Sequence, residues 1–587
     1  MGTAPRSRLT ILASVALLAA GCSAPGTTNA SSSRIDVTEL TAEQIQAAYA
    51  RGDYTAVQLT QAFLERIDRY EDHYNAFISM NPDALTIAAA LDEELATKGP
   101  RGPLHGVPVV IKDNIDYGGL VTTAGYSGFS TATGGLDMIP DDDAAVAERL
   151  RAAGAIILGK TNMPDFAADG TRTKSTVAGV TLNPYDVTRA PGGSSGGTAT
   201  AVNASFAVLG LGTETGGSIQ NPAAAQGLVG VKPTFGLVPL EGVVPMSANV
   251  DVVGPLAKTV RDAAVALDVL AGPTPEDVTT DASRGHIPQE GYAAGLSTTA
   301  LQGKRFGLVG TGWRTSNLPL APETEALYRK AIAALEAEGA AVVEDPLLDS
   351  GFVELYRNRA RAPSAGANDM QAYLRGLGEG AAFNSPEEYE EVTGNPFRGR
   401  SRGGARGGRT NTRGARGGRA NARGRRGSGR GGGTRAGRRR GGERGTGGAT
   451  NLPAERRRSS GQQSERRTNF GAWRLEIQAL FRSALDEQGL DGLFFPQASA
   501  PIKKLVEDPE RPNYSPNNHP ELPSNICNDI GLPVVTVPFA YYDDGTPFVL
   551  ALIGDMWTEA ELLAYAYDFE QATAARLAPK VVPQPKR

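Results

Sequence analysis

No part of this chain is more constrained than Pro191–Ser218, which reads PGGSSGG, then a run of small and apolar residues, then GTETGGS. Glycines crowd its two ends (Gly192, Gly193, Gly196 and Gly197, then Gly212, Gly216 and Gly217), with serines against them at 194, 195 and 218. Lacking a Cβ, glycine lets backbone turn sharply and brings N–H groups close to a ligand. Between the clusters, Phe206–Leu211 predicts a short buried strand. A serine hydroxyl on a glycine turn just past a strand has the parts acyl transfer needs, a nucleophile and donors for a developing oxyanion. These parts single out Ser218, with the backbone at Thr215, Gly216 and Gly217 as the donors.

The elements around this stretch alternate between strand and helix patterns, which implies an α/β layer architecture. Thr41–Gln44 and Thr55–Gln58 match the capping box, and Leu59, Phe63, Ile67 and Tyr70 follow at helical spacing. Val107–Ile111 predicts a buried strand that ends on Lys112. An amine there is partly desolvated, which disfavours its charged form; it is either a base or a partner for Asp113 or Asp116. Asp143–Ala153 predicts a helix and Ala155–Leu158 a strand. Gly154–Thr161 has the glycine, lysine and threonine spacing of a phosphate-binding loop, but a helix precedes it, strand formers fill its middle, and Pro164 interrupts the residues after it. The mechanism of such a loop needs a strand before and a helix after, so nucleotide binding is excluded. Further strands are expected at Lys304–Val309, Ala340–Glu344, Leu493–Phe495 and Ile530–Pro538, with helices at Thr324–Gly339, from Trp473 to Gln488, and from Glu559 to about Ala575.

Charge is unevenly spread. Residues 398–467 hold 22 arginines, no lysine and three glutamates, a local +19 that leaves −24 for the rest of a chain whose formal total is −5. This tract has almost no apolar residues to bury, so disorder is expected over 397–467, interrupting a domain of residues 37–396 and 468–580. Its Arg-Gly units suit an anionic polymer or lipid, or the acidic body itself. At the other end, Arg6 and Arg8 precede an apolar run from Leu9 to Ala20 and then Gly21-Cys22. That pattern predicts a signal peptide over 1–22, too short to span a bilayer as a mature helix, and a flexible tether over 23–36. Leu18–Cys22 resembles a bacterial lipobox, which implies lipidation of Cys22 and an exported, membrane-anchored protein. The one other cysteine, Cys527, leaves no internal disulfide and no thiolate zinc site to build, so no metal is expected. None of the four histidines adjoins a candidate serine in sequence.

Taken together, KDN at 112–114, GKTNMPDF at 159–166, NPYD at 183–186, PGGSSGG at 191–197, GTETGGSI at 212–219 and GLVGVKP at 227–233 resemble the amidase signature family, as does the later GLPVVTVP. The resemblance covers roughly residues 37–396 and 468–577. It implies a single domain built on a large mixed, twisted β-sheet covered by helices on both faces. It also implies a Ser-Ser-Lys triad in which Ser218 is the nucleophile, Ser194 the bridge after a cis peptide bond, and Lys112 the terminal base; Ser195 is the rival for the bridge. The implied reaction is hydrolysis of a small-molecule or peptide amide with no cofactor. Transamidation of the kind performed by the subunit that amidates glutamyl-tRNA is the alternative within the family, and a non-catalytic surface-binding protein using the arginine tract is the alternative outside it. Two positions depart from the common pattern: Glu214 stands where many members have aspartate, and Gln220 where many have arginine.

Overall fold

The computed structural model describes residues 35–308, 310, 319–360, 362, 367–397, 454–505 and 524–582. The expected signal peptide, Cys22 and most of the tether lie outside these residues, as does the arginine-glycine tract from 398 to 453. The contacts divide the chain between Asp36 and Val37, and the unit that begins at Val37 holds every element of the fold.

In chain order the strands are β1 (Phe77–Met80), β2 (Pro108–Lys112), β3 (Ile156–Thr161), β4 (Lys174–Ser175), β5 (Gly179–Val180), β6 (Leu209–Glu214), β7 (Val229–Lys232), β8 (Val252–Ala257), β9 (Arg305–Leu308), β10 (Ala341–Glu344), β11 (Gly492–Pro496), β12 (Val534–Tyr541) and β13 (Pro547–Ile553). β4 and β5 form a small ribbon, and the other eleven make one sheet in the order β1-β3-β2-β6-β8-β7-β12-β13-β11-β9-β10. The pairings are mixed: β2 lies parallel to β3 and to β6, while β6 and β7 both run antiparallel to β8. Helices flank the sheet. The fold is thus the mixed α/β sheet expected.

Side-chain chemistry explains the centre of the sheet. Every residue of β2, β3, β6, β7 and β8 is buried, and these strands are apolar without alternation except at their carboxyl ends, where Lys112, Lys160, Thr161, Thr213, Glu214 and Lys232 stand. Each buried valine or isoleucine contributes about 1.5–3 kcal/mol. The N-terminal helices form as their capping boxes predict, at Ala42–Arg51 and Ala56–Tyr74; the second buries Leu59, Phe63 and Ile67.

Several boundaries differ from expectation. The strand expected at Phe206–Leu211 begins at Leu209 and runs to Glu214. The preceding helix, Gly196–Asn203, needs the turn through Ala204–Val208, with Ser205 at φ 55°, to bring the chain back into the sheet. The helix expected at Asp143–Ala153 is Ala145–Ala152, and the strand after it continues through Lys160 and Thr161, where a phosphate loop would have turned into a helix. The helix expected from Trp473 starts at Ala454, so the last part of the stretch expected to be disordered is helical.

Candidate active site

β2 and β6 are parallel neighbours, Val109 facing Leu209, Val110 facing Gly210 and Ile111 facing Leu211. Their carboxyl ends therefore emerge side by side, the place where open α/β sheets build ligand sites. Lys112 is the last residue of β2, and the turn Thr215–Ser218 comes directly after the last residue of β6. Between them sits the Pro191–Ser195 segment, with a cis bond between Gly193 and Ser194. Gly193 is there because of crowding: a Cβ would stand 2.5 Å from the Asp169 carbonyl oxygen.

Lys112 is fully buried, and its amine makes three contacts: the Ser194 hydroxyl at 2.7 Å, the Thr213 hydroxyl at 2.8 Å and the Thr213 carbonyl at 3.2 Å. Asn114 donates to the same Thr213 hydroxyl at 3.0 Å. Burial pushes the Lys112 amine down from its ordinary 10.5 to about 7, with Asp251 and Glu214 pulling the other way. The amine is therefore substantially neutral near pH 7 and able to accept a proton from a hydroxyl.

The pairing of Lys112 with Asp113 or Asp116 does not occur. Both carboxylates face Lys160, the lysine of the phosphate-loop lookalike. Asp113 lies 3.7 Å from its amine and Asp116 acts on it electrostatically, while Lys160 donates to the Thr122 hydroxyl. Asp113 also accepts from the Thr123 amide at 3.1 Å, and Asp116 from Tyr373 at 2.9 Å. Lys160 is thus a structural counter-ion, and Lys112 is left to the serines.

The turn itself is held from inside by Glu214. Its carboxylate accepts from the Ile219 and Gln220 amides at 2.8 and 3.0 Å and from the Gln220 side chain at 2.5 Å. Burial raises Glu214, and Lys232 beneath it opposes that shift. The two departures from the family pattern are therefore partners: the longer acid reaches the amide side chain of Gln220. Gly217 takes φ 105°, which a side chain would strain. Among the described residues, none of the N–H groups of Thr215, Gly216, Gly217 and Ser218 donates to a protein acceptor. Four unengaged donors on one turn are the parts an anion-binding site needs.

Ser218 is buried beside this row, and its carbonyl accepts from the Ser195 amide at 3.2 Å. The structure thus brings Lys112 and Ser194 into hydrogen bond and sets Ser218 against the same segment, but among the described residues no hydrogen bond joins the two serine hydroxyls. Ser195 instead exchanges hydrogen bonds with the Thr213 backbone at 3.2 and 3.3 Å, which engages its hydroxyl elsewhere. Sequence reasoning missed Thr213, Asn114 and Asp251. Asn114 and Thr213 left a signal, since they stand inside the KDN and GTETGGS motifs; Asp251 left none.

The family model described as Amidase matches residues 58–398. The glutamyl-tRNA(Gln) amidotransferase A-subunit of Alkaliphilus metalliredigens is 39% identical over 323 residues, 54% of this chain and 63% of that protein. Its namesake from Streptomyces coelicolor is 40% identical over 368 residues, 61% of this chain and 69% of that one. The alignment to the first of these spans less than two thirds of that relative's length. Among solved structures, the peptide amidase of Stenotrophomonas maltophilia superposes with a TM-score of 0.67 at 28% identity, covering 92% of this chain and 99% of that one.

Proposed function

The chain belongs to the amidase family, and from that premise we propose that it hydrolyses linear carboxamides through an acyl-enzyme on Ser218. The observation that carries this reading is the buried Lys112 amine, 2.7 Å from the Ser194 hydroxyl and lowered to about 7. A serine hydroxyl is a poor nucleophile unless a base takes its proton during attack. Neutral Lys112 takes the proton of Ser194, Ser194 takes that of Ser218, and Ser218 Oγ bonds to the amide carbon. Hydrogen bonds of this kind commonly tighten only with substrate in place, which is where the link between the serines closes. The oxyanion rests on the N–H groups of Thr215–Ser218, each worth roughly 3–4 kcal/mol in comparable sites. Its collapse breaks the C–N bond, and the relay returns the proton to the leaving ammonia or amine. Water then attacks the ester by the same route and frees Ser218.

Likeness to a peptide amidase over nearly all of both chains supports a free hydrolase acting on small-molecule or peptide amides. The 39% identity to a subunit of an amidotransferase favours a second reading, transamidation within a complex. The signal peptide expected over residues 1–22 supports the first, since lipid on Cys22 would hold the protein at a membrane, away from tRNA. The purified full-length chain, alone, is to be offered glutamine, other primary and secondary amides and amidated peptides, with S218A beside it. Release of ammonia or amine by wild type and not by S218A is expected. Release equal in both, or none from any amide, overturns the proposal; mass analysis of the mature N-terminus tests the lipid on Cys22.

A further inference from the structure

β6 and β8 pair antiparallel with Glu214 opposite Val252, so the next residues outward, Thr215 and Asp251, face each other just beyond the end of the ladder. Their side chains meet: the Thr215 hydroxyl donates to Asp251 Oδ1 at 2.6 Å. The other oxygen, Oδ2, accepts from the Met246 and Ser247 amides at 2.8 and 2.7 Å. The carboxylate is thus fixed on its own loop by two backbone donors, and that loop is tied to β6 again by Asn528, whose side chain donates to the Glu214 and Val250 carbonyls at 3.3 and 3.2 Å. Thr215 carries the first of the four unengaged N–H groups. Glu214 grips the far end of the same turn, at Ile219 and Gln220.

We propose that Asp251 is a positioning residue for the nucleophile turn: it holds Thr215 by its hydroxyl, so setting the row of N–H donors. This rests on the amidase reading above. The carboxylate accepts from all three donors at once; an asparagine keeps its oxygen on the Met246 and Ser247 amides and gives its NH2 to the Thr215 hydroxyl, so it reverses one bond and removes the charge. Among the charged groups around Lys112, Asp113 and Asp116 face Lys160, which leaves Asp251 and Glu214 to act on the amine. Loss of the Asp251 charge therefore makes Lys112 easier to deprotonate, and loss of the Thr215 hydroxyl does not.

The test uses an alkyl fluorophosphonate, whose phosphoryl oxygen needs the same N–H row and whose reaction requires no known substrate. Labelling of Ser218, located by peptide mass, is followed against pH for full-length wild type, T215S, T215V and D251N. T215S, which keeps the hydroxyl, is expected to label faster than T215V, and T215V roughly tenfold slower than wild type with an unchanged pH midpoint, within the cost of a disturbed oxyanion donor. D251N, which keeps a bond to Thr215 but not the charge, is expected to shift its midpoint to lower pH by about half a unit or more, as removal of a nearby opposite charge requires. A wild-type rate in T215V, equal slowing of T215S and T215V, or a D251N midpoint unmoved from that of T215V overturns the proposal. If D251N does not fold, the T215S and T215V pair decides alone. Absence of label on Ser218 in wild type fells the parent reading, a result distinct from the others.

Discussion

Replacing Lys112 by methionine is expected to abolish activity and make the protein more stable, a combination that separates a base from a structural cation. The amine stands at about 7 in the folded chain against an ordinary 10.5. At pH 7 the unfolded state therefore holds a proton that the folded state half lacks, a penalty of about 4 kcal/mol. Methionine removes it. The losses are small, because Thr213 keeps Asn114 as donor to its hydroxyl and Ser195 as donor to its carbonyl. Ser194 alone loses its partner, at about 1–3 kcal/mol. The net gain at pH 7 is about 1–3 kcal/mol, measured by urea unfolding. Because the folded value lies below the unfolded one, this group makes wild-type stability rise between about pH 7 and 10.5, and the advantage of K112M fades across that window. Lys232 and Lys258, both lowered to about 8 by burial, act in the same sense in both proteins and cancel. Activity is expected to fall by at least the 10²–10⁴-fold typical of a lost general base. A K112M protein that is less stable at pH 7, or whose difference from wild type is flat with pH, refutes the argument, since the amine would then be an ordinary charged one.

Lys160 gives the opposite outcome: K160M strands Asp113 and Asp116 in the core and is expected to cost about 3–5 kcal/mol, read as a large drop in melting temperature; an unchanged melt would show those carboxylates to be neutral. S218A should lose turnover while melting as wild type does, and retained turnover would remove Ser218 as nucleophile. The wild-type kcat/KM should rise with pH along a one-proton limb through about pH 7, as Lys112 loses its proton; a limb absent between pH 6 and 8 contradicts the lowered amine. E214A leaves the Ile219 and Gln220 amides without the oxygen they share, and is expected to lower kcat at least tenfold and stability by about 1–3 kcal/mol; full activity would show that the turn holds itself.

The sequence was informative wherever chemistry was local. KDN put Lys112 at the end of a strand, the two glycine clusters put Ser194 and Ser218 on turns, and the α/β alternation implied the mixed sheet. What it could not show was pairing across distance. Asp251 lies 36 positions from the Thr215 it binds, and only the antiparallel register of β6 and β8 brings them opposite. The fate of Asp113 and Asp116 was likewise open, because the choice between Lys112 and Lys160 depends on which way side chains leave neighbouring parallel strands. The strand expected from Phe206 begins three residues later for a related reason: apolar residues in the turn after a buried helix are as hidden as those in a strand, and burial alone does not tell them apart.

The acyl-enzyme itself can be caught. Wild-type protein turning over an active amide is quenched in acid and its peptides are weighed. The substrate's acyl mass is expected on the peptide bearing Ser218 and absent from S218A. An adduct on the peptide bearing Ser194 and Ser195 instead, or hydrolysis with a single-turnover burst and no adduct anywhere, would contradict the proton relay from Lys112 to Ser218.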